Sequence, residues 1–269
     1  MQDAGPDDAA SDPVFRDVDA SAADSLVAMM DATDSWPAVQ AARRWIVSAV
    51  GDSPLQLALD VGSGPGTFNA ELEAARTVDL DRSSVMSRTA RSRHAGTSAV
   101  QADAHALPLP DGTADLVHVE RMLQWLDRPE DALDELLRVA APGGWVAATD
   151  TDWGTFRVHP SALADQWTAA ALAWVPHSRL AASLPEQLER RGLLDVRQHH
   201  AHVVLTHWDP AAPDQGDGPP GLPLRTIARI GDDPVALLAD VDRLADAATI
   251  GRLHAELTLV TAVGRLPTR

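Results

Sequence analysis

Cysteine, lysine and tyrosine are absent from this chain of 269 residues. Without cysteine, the protein can form neither disulfides nor thiolate metal sites. Without lysine, it can form no Schiff base on a lysine amine and has no P-loop lysine for a nucleotide's phosphates. Tryptophan occurs eight times and phenylalanine three times, so the aromatic surface available to a ligand is mostly indole.

The chain is strongly acidic, with a formal net charge of −17 at pH 7. Such a surface repels phosphate backbones, which disfavours nucleic acid as a substrate. No apolar run is long enough to cross a bilayer, and the acidic first residues lack the apolar core of a signal peptide. We therefore expect a cytoplasmic protein that binds a small molecule and no membrane. The sequence does not decide between a monomer and a homodimer.

Composition and pattern divide the chain into three parts. Residues 1–14 are rich in aspartate and proline and predict a disordered tail. Two helical patterns follow within 15–50, where we expect a helical lid. Residues 51–269 are predicted to form one domain with a substantial core, and insertions at about 153–192 and 207–250 are expected to extend the lid.

Strand and helix patterns alternate through the first part of that domain. Alternation at this spacing predicts crossover connections and a parallel sheet with helices on both faces. The predicted elements are strands at 55–61, 76–80, 98–102, 114–119 and from 145, and helices at 67–75, 83–93 and 127–140. Asp127 is expected to cap the last of these helices.

After Asp150 the alternation loosens. Ser183 and Glu186 have the spacing of a capping box, which predicts a helix beginning at Ser183. The further predicted elements are helices at 161–175, 183–191 and 234–247, and strands at 193–206 and 253–264.

The stretch ALDVGSGPGT at 58–67 places a glycine at every second position directly after an apolar strand. Glycine lets the backbone turn tightly and lets a ligand lie against the main chain. A helix after the loop would offer N–H groups at its start, which suits a nucleotide-like ligand. The dinucleotide pattern G-x-G-x-x-G would need glycine or alanine at the position of Thr67. The spacing is instead D-x-G-x-G-x-G, from Asp60 to Gly66.

This loop resembles the nucleoside-binding loop of class I S-adenosylmethionine-dependent methyltransferases. Three more segments agree with the resemblance: TVDLD at 77–81, QADAHALPLPDGTADLV at 101–117 and RVAAPGGWVAATD at 138–150. Within the superfamily, ERMLQWL at 120–126 and TDTDWGTF at 149–156 look most like small-molecule methyltransferases related to the ubiquinone and menaquinone enzymes, the methyltransferase type 11-like group.

The resemblance implies a Rossmann-like α/β fold, a doubly wound seven-stranded sheet that is mostly parallel with an antiparallel last strand. It implies S-adenosyl-L-methionine as the cofactor, with Asp79 on the ribose hydroxyls and Asp103 on the adenine amino group. A carboxylate suits the ribose because its two oxygens can accept from two hydroxyl donors. The residues expected to bind the cofactor are Asp60, Gly62, Ser63, Gly64, Gly66, Asp79, Leu80, Asp103, Ala104 and Glu120.

Candidates for catalysis follow the fourth and fifth strands. Asp150 and Asp152 alternate at the expected ligand edge, and two nearby carboxylates can raise one pKa enough to make a base near neutral pH. A solvated acidic loop is the competing interpretation. Trp125 is expected either to stack on a ligand or to pack in the core. The candidate substrate contacts are Gln124, Trp153 and His177.

Other polar side chains give weaker signals. Arg43 in the second helix could pair with the methionine carboxylate of the cofactor or lie on a solvated face. His200 and His202 would share one face of a strand, with His199 on the other. Two histidines without a third ligand do not make a convincing metal centre, so we predict no metal.

Two functions stay open at this point. The first is methyl transfer to an O, N or C nucleophile of a small, apolar or polycyclic metabolite, as in secondary metabolism. Three tryptophans within 153–174 favour this interpretation. The second keeps the fold and cofactor but performs a non-methylating rearrangement or only binds, because Trp125 cannot act as a base. An NAD-dependent oxidoreductase is disfavoured by the glycine spacing.

Overall fold

Seven strands form one sheet in the computed structural model of the protein, which describes residues 19, 23–51, 54–69, 72, 74–94, 98–212 and 215–268. The strands are β1 (Ala58–Val61), β2 (Thr77–Asp81), β3 (Ser98–Gln101), β4 (Ala114–Glu120), β5 (Ala140–His159), β6 (Leu194–Leu205) and β7 (His254–Arg265). Each strand predicted from the sequence is present with shifted ends. The tail predicted over 1–14 lies outside the described residues.

The sheet has the order β3-β2-β1-β4-β5-β7-β6. Neighbouring strands run parallel except at β7, which pairs antiparallel with both β5 and β6. The predicted fold class is therefore confirmed. The strand order reverses between β1 and β4, and sheets of this kind bind ligands at such a point, beyond the carboxyl ends of the strands.

Eight α-helices accompany the sheet in the described part of the chain. They are α1 (Ala23–Asp34), α2 (Pro37–Val50), α3 (Ser84–Arg93), α4 (Pro129–Val139), α5 (Ala164–Trp174), α6 (Leu180–Arg190), α7 (Leu224–Ile230) and α8 (Pro234–Thr249). Leu123–Trp125 form a single 3₁₀ turn between β4 and α4. Proline occupies the first turn of α2, α4 and α8, where its missing N–H has no helical partner to lose.

Alternating strand residues build a core on each face of the sheet. On β4, Val117 and Val119 join the apolar cluster that contains Leu133 of α4 and Leu184 of α6. Leu116, which points the opposite way, belongs to the cluster that includes part of α2. A third cluster packs β5 and β7 against α5, α7 and α8. Burial of both faces leaves the carboxyl edge of the strands as the surface that can receive a ligand.

The helix predicted over 67–75 is wrong for the residues described there, none of which belongs to an α-helix. Ala74 makes an isolated parallel bridge with Leu55, and the Ala75 amide donates to the Leu55 carbonyl at 2.8 Å. These backbone groups extend the pairing of β1 and β2, so they cannot continue a helical ladder.

Both predicted helix caps are wrong as well. The residue that precedes α4 is Arg128, which makes no side-chain cap bond, and Asp127 lies one position too early. α6 begins at Leu180, which places Ser183 inside the helix, where its Oγ donates to the Leu180 carbonyl at 2.9 Å. Leu180 and its neighbour Ala181 are buried, and we attribute the early start of the helix to their packing.

The fifth strand is longer than its sequence pattern indicates. β5 has 20 residues and stays paired with β7 through Asp152, then pairs again over Arg157–His159. The insertion expected from 153 therefore begins inside a strand. Within the second insertion, at 207–250, the sequence pattern predicted α8 but missed α7.

Candidate functional site

A cavity of about 500 Å³ lies at the carboxyl ends of β1 to β4. Its lining reaches from Asp103, just after β3, to Leu257 on β7. Met30 of α1, Trp36 before α2 and Gly221 before α7 close it from the other side. The cavity is thus at the topological position where an open α/β sheet binds its ligand.

The glycine loop after β1 forms one wall of this cavity with bare main chain. Gly62, Gly64 and Gly66 have φ values of +72°, +53° and +79°, which side chains rarely adopt. A Cβ at Gly62 would overlap Met122 Sδ, and one at Gly66 would lie 2.7 Å from Ala90 Cβ. Glycine is required here both by the backbone conformation and by close neighbours.

Asp81, the last residue of β2, lines the cavity beside this loop. Its Oδ2 accepts from the Gly64 amide at 2.8 Å and its Oδ1 accepts from the Ser83 amide at 2.8 Å. Burial raises the pKa of Asp81, and the two amide donors oppose that rise. Each carboxylate oxygen can accept a second bond, so Asp81 can still receive two donors from a ligand.

Asp79, which the sequence placed on the ribose, is 1% exposed and is not among the residues that line the cavity. Its Oδ1 accepts from Asn69 Nδ2 at 2.5 Å, and a Cβ at Gly66 would lie 2.8 Å from its Oδ2. Burial and the nearby Asp60 raise the pKa of Asp79 to about 7. The structure therefore places Asp79 beneath the glycine loop.

Asp60 and His118 form a buried pair on neighbouring strands, with Asp60 Oδ1 at 2.7 Å from His118 Nδ1. The His118 ring stacks on Phe68, with ring centroids 3.7 Å apart. Both members of the pair line the cavity, as Ser63 does. His118 Nε2 and Ser63 Oγ are enclosed and have no hydrogen-bond partner among the described residues. Leu80, in contrast, is a core residue whose contribution to the loop is its carbonyl, which accepts from Ser63 N and the preceding amide.

Asp103, Ala104 and His105 line the β3 end of the cavity. Asp103 Oδ1 accepts from the His105 amide at 2.9 Å and lies 2.7 Å from His105 Nδ1. The hydrogen bond from the His105 backbone amide is the main cause that lowers the pKa of Asp103, so this carboxylate is an ionised acceptor. Asp103 and Ala104, which the resemblance places at the adenine, both line the cavity, and their contact with a cofactor stays a prediction.

Four charged side chains form an ion cluster where α1, α2 and β4 meet: Asp34, Arg43, Glu120 and Arg121. Arg43 donates to both oxygens of Glu120 at 3.0 and 2.9 Å, and to Asp34 Oδ1 at 3.1 Å. Arg121 donates to both acids, and Thr67 donates to Asp34. Burial alone would raise the pKa of Glu120, but Arg121 and Arg43 lower it to about 2. All four members of the cluster line the cavity, so the N-terminal helices are tied to the sheet at the ligand space.

Four tryptophans that line the cavity belong to one apolar cluster or pack against it, and we call this region the indole end: Trp36, Trp125, Trp153 and Trp174. Trp174 packs edge to face against Trp125 and Trp153, with ring centroids 5.2 and 5.3 Å apart. Trp36 donates from its indole nitrogen to the Pro220 carbonyl at 3.1 Å. The region is thus a wall of fixed, flat, apolar surface.

Gly66, Asp79 and Leu80 are not among the residues that line the cavity. Of the residues predicted for catalysis and substrate binding, three are not among them either: Asp150, Asp152 and His177. Asp150 is fully buried and its Oδ2 accepts from the Gln124 amide at 3.1 Å, while burial raises its pKa to about 8. Asp152 Oδ1 accepts from the Gly154 amide at 3.0 Å. The amide of His177 donates to the Gln124 carbonyl at 3.1 Å. Two of the three therefore hold Gln124, which does line the cavity.

The histidines of β6 do not gather into a metal centre. His199 stacks on Trp45 with ring centroids 5.3 Å apart, and burial lowers its pKa. Within the described ranges, no group of three histidine, aspartate or glutamate side chains is placed to hold a metal ion. Over the same residues, every helix is too short or too polar to cross a membrane.

The region from β1 to β5 is similar to known proteins. Residues 59–148 match the family model of a methyltransferase domain. The fold superposes on the YcgJ protein of Bacillus subtilis with a TM-score of 0.59, covering 86% of this chain and 100% of that one at 13% identity. Residues 59–148 of this chain are therefore similar to a methyltransferase domain. The superfamily resemblance seen in the sequence is thereby confirmed.

Two curated relatives of this chain are methyltransferases with different substrates. The demethylmenaquinone methyltransferase of Renibacterium salmoninarum is 33% identical over 138 residues, which are 49% of this chain and 58% of that protein. The malonyl-[acyl-carrier protein] O-methyltransferase of Pectobacterium atrosepticum is 33% identical over 147 residues, 52% of this chain and 56% of that protein. This chain spans about half the length of the curated relatives it matches.

The cavity fits S-adenosyl-L-methionine, the cofactor that the resemblance implies. Gly62 and Gly64 of the glycine loop line the cavity without side chains. Ser63 Oγ is enclosed and lacks a partner among the described residues, and Asp81 keeps acceptor capacity on both oxygens. Backbone amides and carboxylates of this kind suit a nucleoside with hydroxyl and amino donors.

Several lining residues were missed from the sequence, above all Asp81, Asp34 and Trp174. A signal for Asp81 was present, since Ser83 caps α3 by accepting from the Met86 amide, and the acid two residues before the cap ends the strand. Asp34 and Trp174 carried no such signal, because only tertiary packing brings their helices to the cavity.

Proposed function

We propose that this protein transfers the methyl group of S-adenosyl-L-methionine to an O, N or C nucleophile of a small, apolar and preferably polycyclic metabolite, of the kind found in secondary metabolism. One observation carries the proposal: a single cavity joins the glycine loop and its acids to the indole end. The first half suits a nucleoside, and the second suits a flat apolar acceptor.

In this proposal Asp81 takes the ribose hydroxyls. The support is its position in the lining with acceptor capacity left, whereas Asp79 lies under the loop. Asp103 would accept from the adenine amino group, and the main chain of Gly62 and Gly64 would border the cofactor. The remaining predicted cofactor contacts, Asp60, Ser63, Gly66, Leu80, Ala104 and Glu120, stay predictions for direct or indirect support of the same ligand.

The ion cluster is assigned to the methionine end of the cofactor. It presents two acids and two guanidinium groups to the cavity, which match an α-amino group and an α-carboxylate. Arg43 and Glu120 already pair with each other, so neither is a lone buried charge before the ligand binds. The amino group and carboxylate of the ligand would add hydrogen bonds to groups that are already paired.

When bound, the cofactor would supply an activated methyl group to the acceptor's lone pair, and its sulfur would keep the electron pair of the broken carbon–sulfur bond as a neutral thioether. An acceptor that carries a proton would release that proton to water. The protein's own contribution is orientation and exclusion of water. Holding the reacting atoms in line can supply ~7–11 kcal/mol of the barrier. Asp60 is paired with His118, and Glu120 with Arg43, so neither acid offers an uncommitted base. We infer that catalysis rests on positioning, with Trp125 as a wall of the acceptor site.

The walls around the acceptor are proposed to come from the N-terminal helices and the two insertions. Met30 and Trp36 line the cavity from the first, Trp153 and Trp174 from the segment 153–192, and Gly221 from the segment 207–250. These contacts support a lid assembled from three parts of the chain.

Incubation with methyl-labelled S-adenosyl-L-methionine and an extract of small metabolites tests the function. Label that moves into an organic product, and that S-adenosylhomocysteine suppresses by competition, is the expected result. Tight cofactor binding without label transfer would instead support the non-methylating alternative. Absence of binding would overturn both.

A further inference from the structure

The side-chain amide of Gln124 is fixed in one orientation. Trp153 Nε1 donates to Gln124 Oε1 at 2.8 Å in a buried contact. An indole N–H can only donate, so the amide atom that faces it must be the oxygen. The other end of the amide, Nε2, is therefore a donor that points away from Trp153. It has no hydrogen-bond partner among the described residues.

The backbone of Gln124 is held as firmly as its side chain. Its amide donates to Asp150 Oδ2 at 3.1 Å, and its carbonyl accepts from the His177 amide at 3.1 Å. Gln124 is 3% exposed, yet it lines the cavity, and its Nε2 is not among the fully enclosed unpartnered atoms. The amide is thus a preorganised donor at the cavity wall.

Two indole side chains lie next to Gln124. Trp125 and Trp153 flank Gln124 in the lining, and Trp174 packs against both of them. A donor left unsatisfied in such surroundings costs about 1–3 kcal/mol, so a ligand that supplies an acceptor is favoured over one that does not. A ligand hydroxyl would bring its own O–H, and the flanking indoles offer no acceptor for it.

We propose that Gln124 Nε2 sets the substrate specificity of this site, by selecting flat apolar molecules that present an sp² oxygen to the indole end. Carbonyl and carboxylate groups share this chemistry. The inference rests on the proposed function and narrows its substrate class. Trp153 acts as a positioning residue, because its N–H decides which end of the amide faces the ligand.

Three probes of similar size test the selection in protein saturated with S-adenosylhomocysteine: 2-acetylnaphthalene, 2-naphthoate and 2-ethylnaphthalene. Equilibrium dialysis gives each dissociation constant. We expect wild type to prefer 2-acetylnaphthalene over 2-ethylnaphthalene by about 10-fold, the effect of one hydrogen bond that replaces an unsatisfied donor. In Gln124→Leu the ratio should fall to 1 or below, because the ketone oxygen then has no donor. In Trp153→Phe, which keeps a ring but loses the N–H, the ratio should lie between those of wild type and Gln124→Leu. Tighter binding of 2-naphthoate than of 2-acetylnaphthalene identifies a carboxylate substrate, and weaker binding identifies a carbonyl.

The matched control is Gln187→Leu, the same chemical change at a buried glutamine of α6 outside the cavity, which should keep the wild-type ratio. Equal binding of the two neutral probes to wild type, an unchanged ratio in Gln124→Leu, or no binding of any probe would each overturn the inference. Should Gln124→Leu not fold, an unchanged ratio in Trp153→Phe would overturn it as well. Calorimetric titration of S-adenosylhomocysteine in the same samples separates the two proposals. Lost probe selection with intact cofactor binding rejects only this inference, whereas absent cofactor binding in wild type rejects the proposed function.

Discussion

The Gly64 amide donates a hydrogen bond of 2.8 Å to Oδ2 of Asp81, which joins the middle of the glycine loop to the end of β2. The same carboxylate therefore fixes the shape of the loop and faces the ligand space. Asp79, two residues earlier, supports the loop from below through Asn69. Asp79 and Asp81, both on β2, thus hold the glycine loop from opposite sides. The loop therefore has its conformation fixed before a ligand binds.

Gly66→Ala should destabilise the protein far more than Gly192→Ala does. Both glycines have positive φ, +79° and +82°, so each substitution costs about 1–2 kcal/mol of backbone strain. Only at Gly66 would the new Cβ collide, with Ala90 and with the Asp79 carboxylate, whereas nothing lies within 4 Å at Gly192. Urea unfolding of the two variants gives the difference. Equal losses would show that the loop is not packed as described.

Arg43→Met should cost about 3–5 kcal/mol of unfolding free energy, because it leaves the Glu120 carboxylate buried with half its partners lost. The charge-balanced double variant Arg43→Met/Glu120→Leu should lose less than the single variant. Glu186→Gln is the control, since its pair with Arg190 is exposed and 3.8 Å long, and it should change stability by less than ~1 kcal/mol. A double variant less stable than Arg43→Met would contradict the cluster's electrostatic role.

Asp150→Asn should stabilise the protein relative to wild type at high pH but not at low pH. Burial raises the pKa of Asp150 from 3.8 to about 8. Between these values the folded state keeps a proton that the unfolded state has released, so the stability of wild type falls as pH rises, by up to ~1.4 kcal/mol per unit. Asparagine cannot ionise, so the gain of the variant should grow from about pH 5 to pH 8 and then level off. Urea unfolding at about pH 5, 7 and 9 measures it, and a gain that is constant with pH refutes the assignment.

Much of the fold could be predicted because its signals are local. The glycine spacing from Asp60 to Gly66, the alternation of strands and helices, and the stripe of Leu133 and Leu136 on α4 each depend on a few neighbouring residues. Glu120 ends β4 and Asp103 lies two residues beyond β3, so the strand pattern alone brings them to the carboxyl edge.

The features that could not be predicted from the sequence depend on contacts between distant segments. Asp79 and Asp81 lie on the same face of β2. Because the strand ends at Asp81, that carboxylate reaches the cavity, whereas Asp79 stays beneath the glycine loop. β5 continues past Asp150 because β7, more than 100 residues later, pairs along it. Asp150 turned inward for that reason, and its role changed from expected base to buried support of Gln124.

The central claim is that S-adenosyl-L-methionine binds at the edge of β1 to β4 with its ribose on Asp81. Calorimetric titration of S-adenosylhomocysteine into wild type, Asp81→Asn and Asp79→Asn tests it most directly. The account predicts micromolar-range binding to wild type and at least about 10-fold weaker binding to Asp81→Asn, the effect of removing a charge-assisted bond. Asp79→Asn should change affinity less, because the Asp79 carboxylate is not among the groups that line the cavity. Wild-type affinity in Asp81→Asn together with lost binding in Asp79→Asn would return the ribose to Asp79, and no binding to wild type would contradict the whole account.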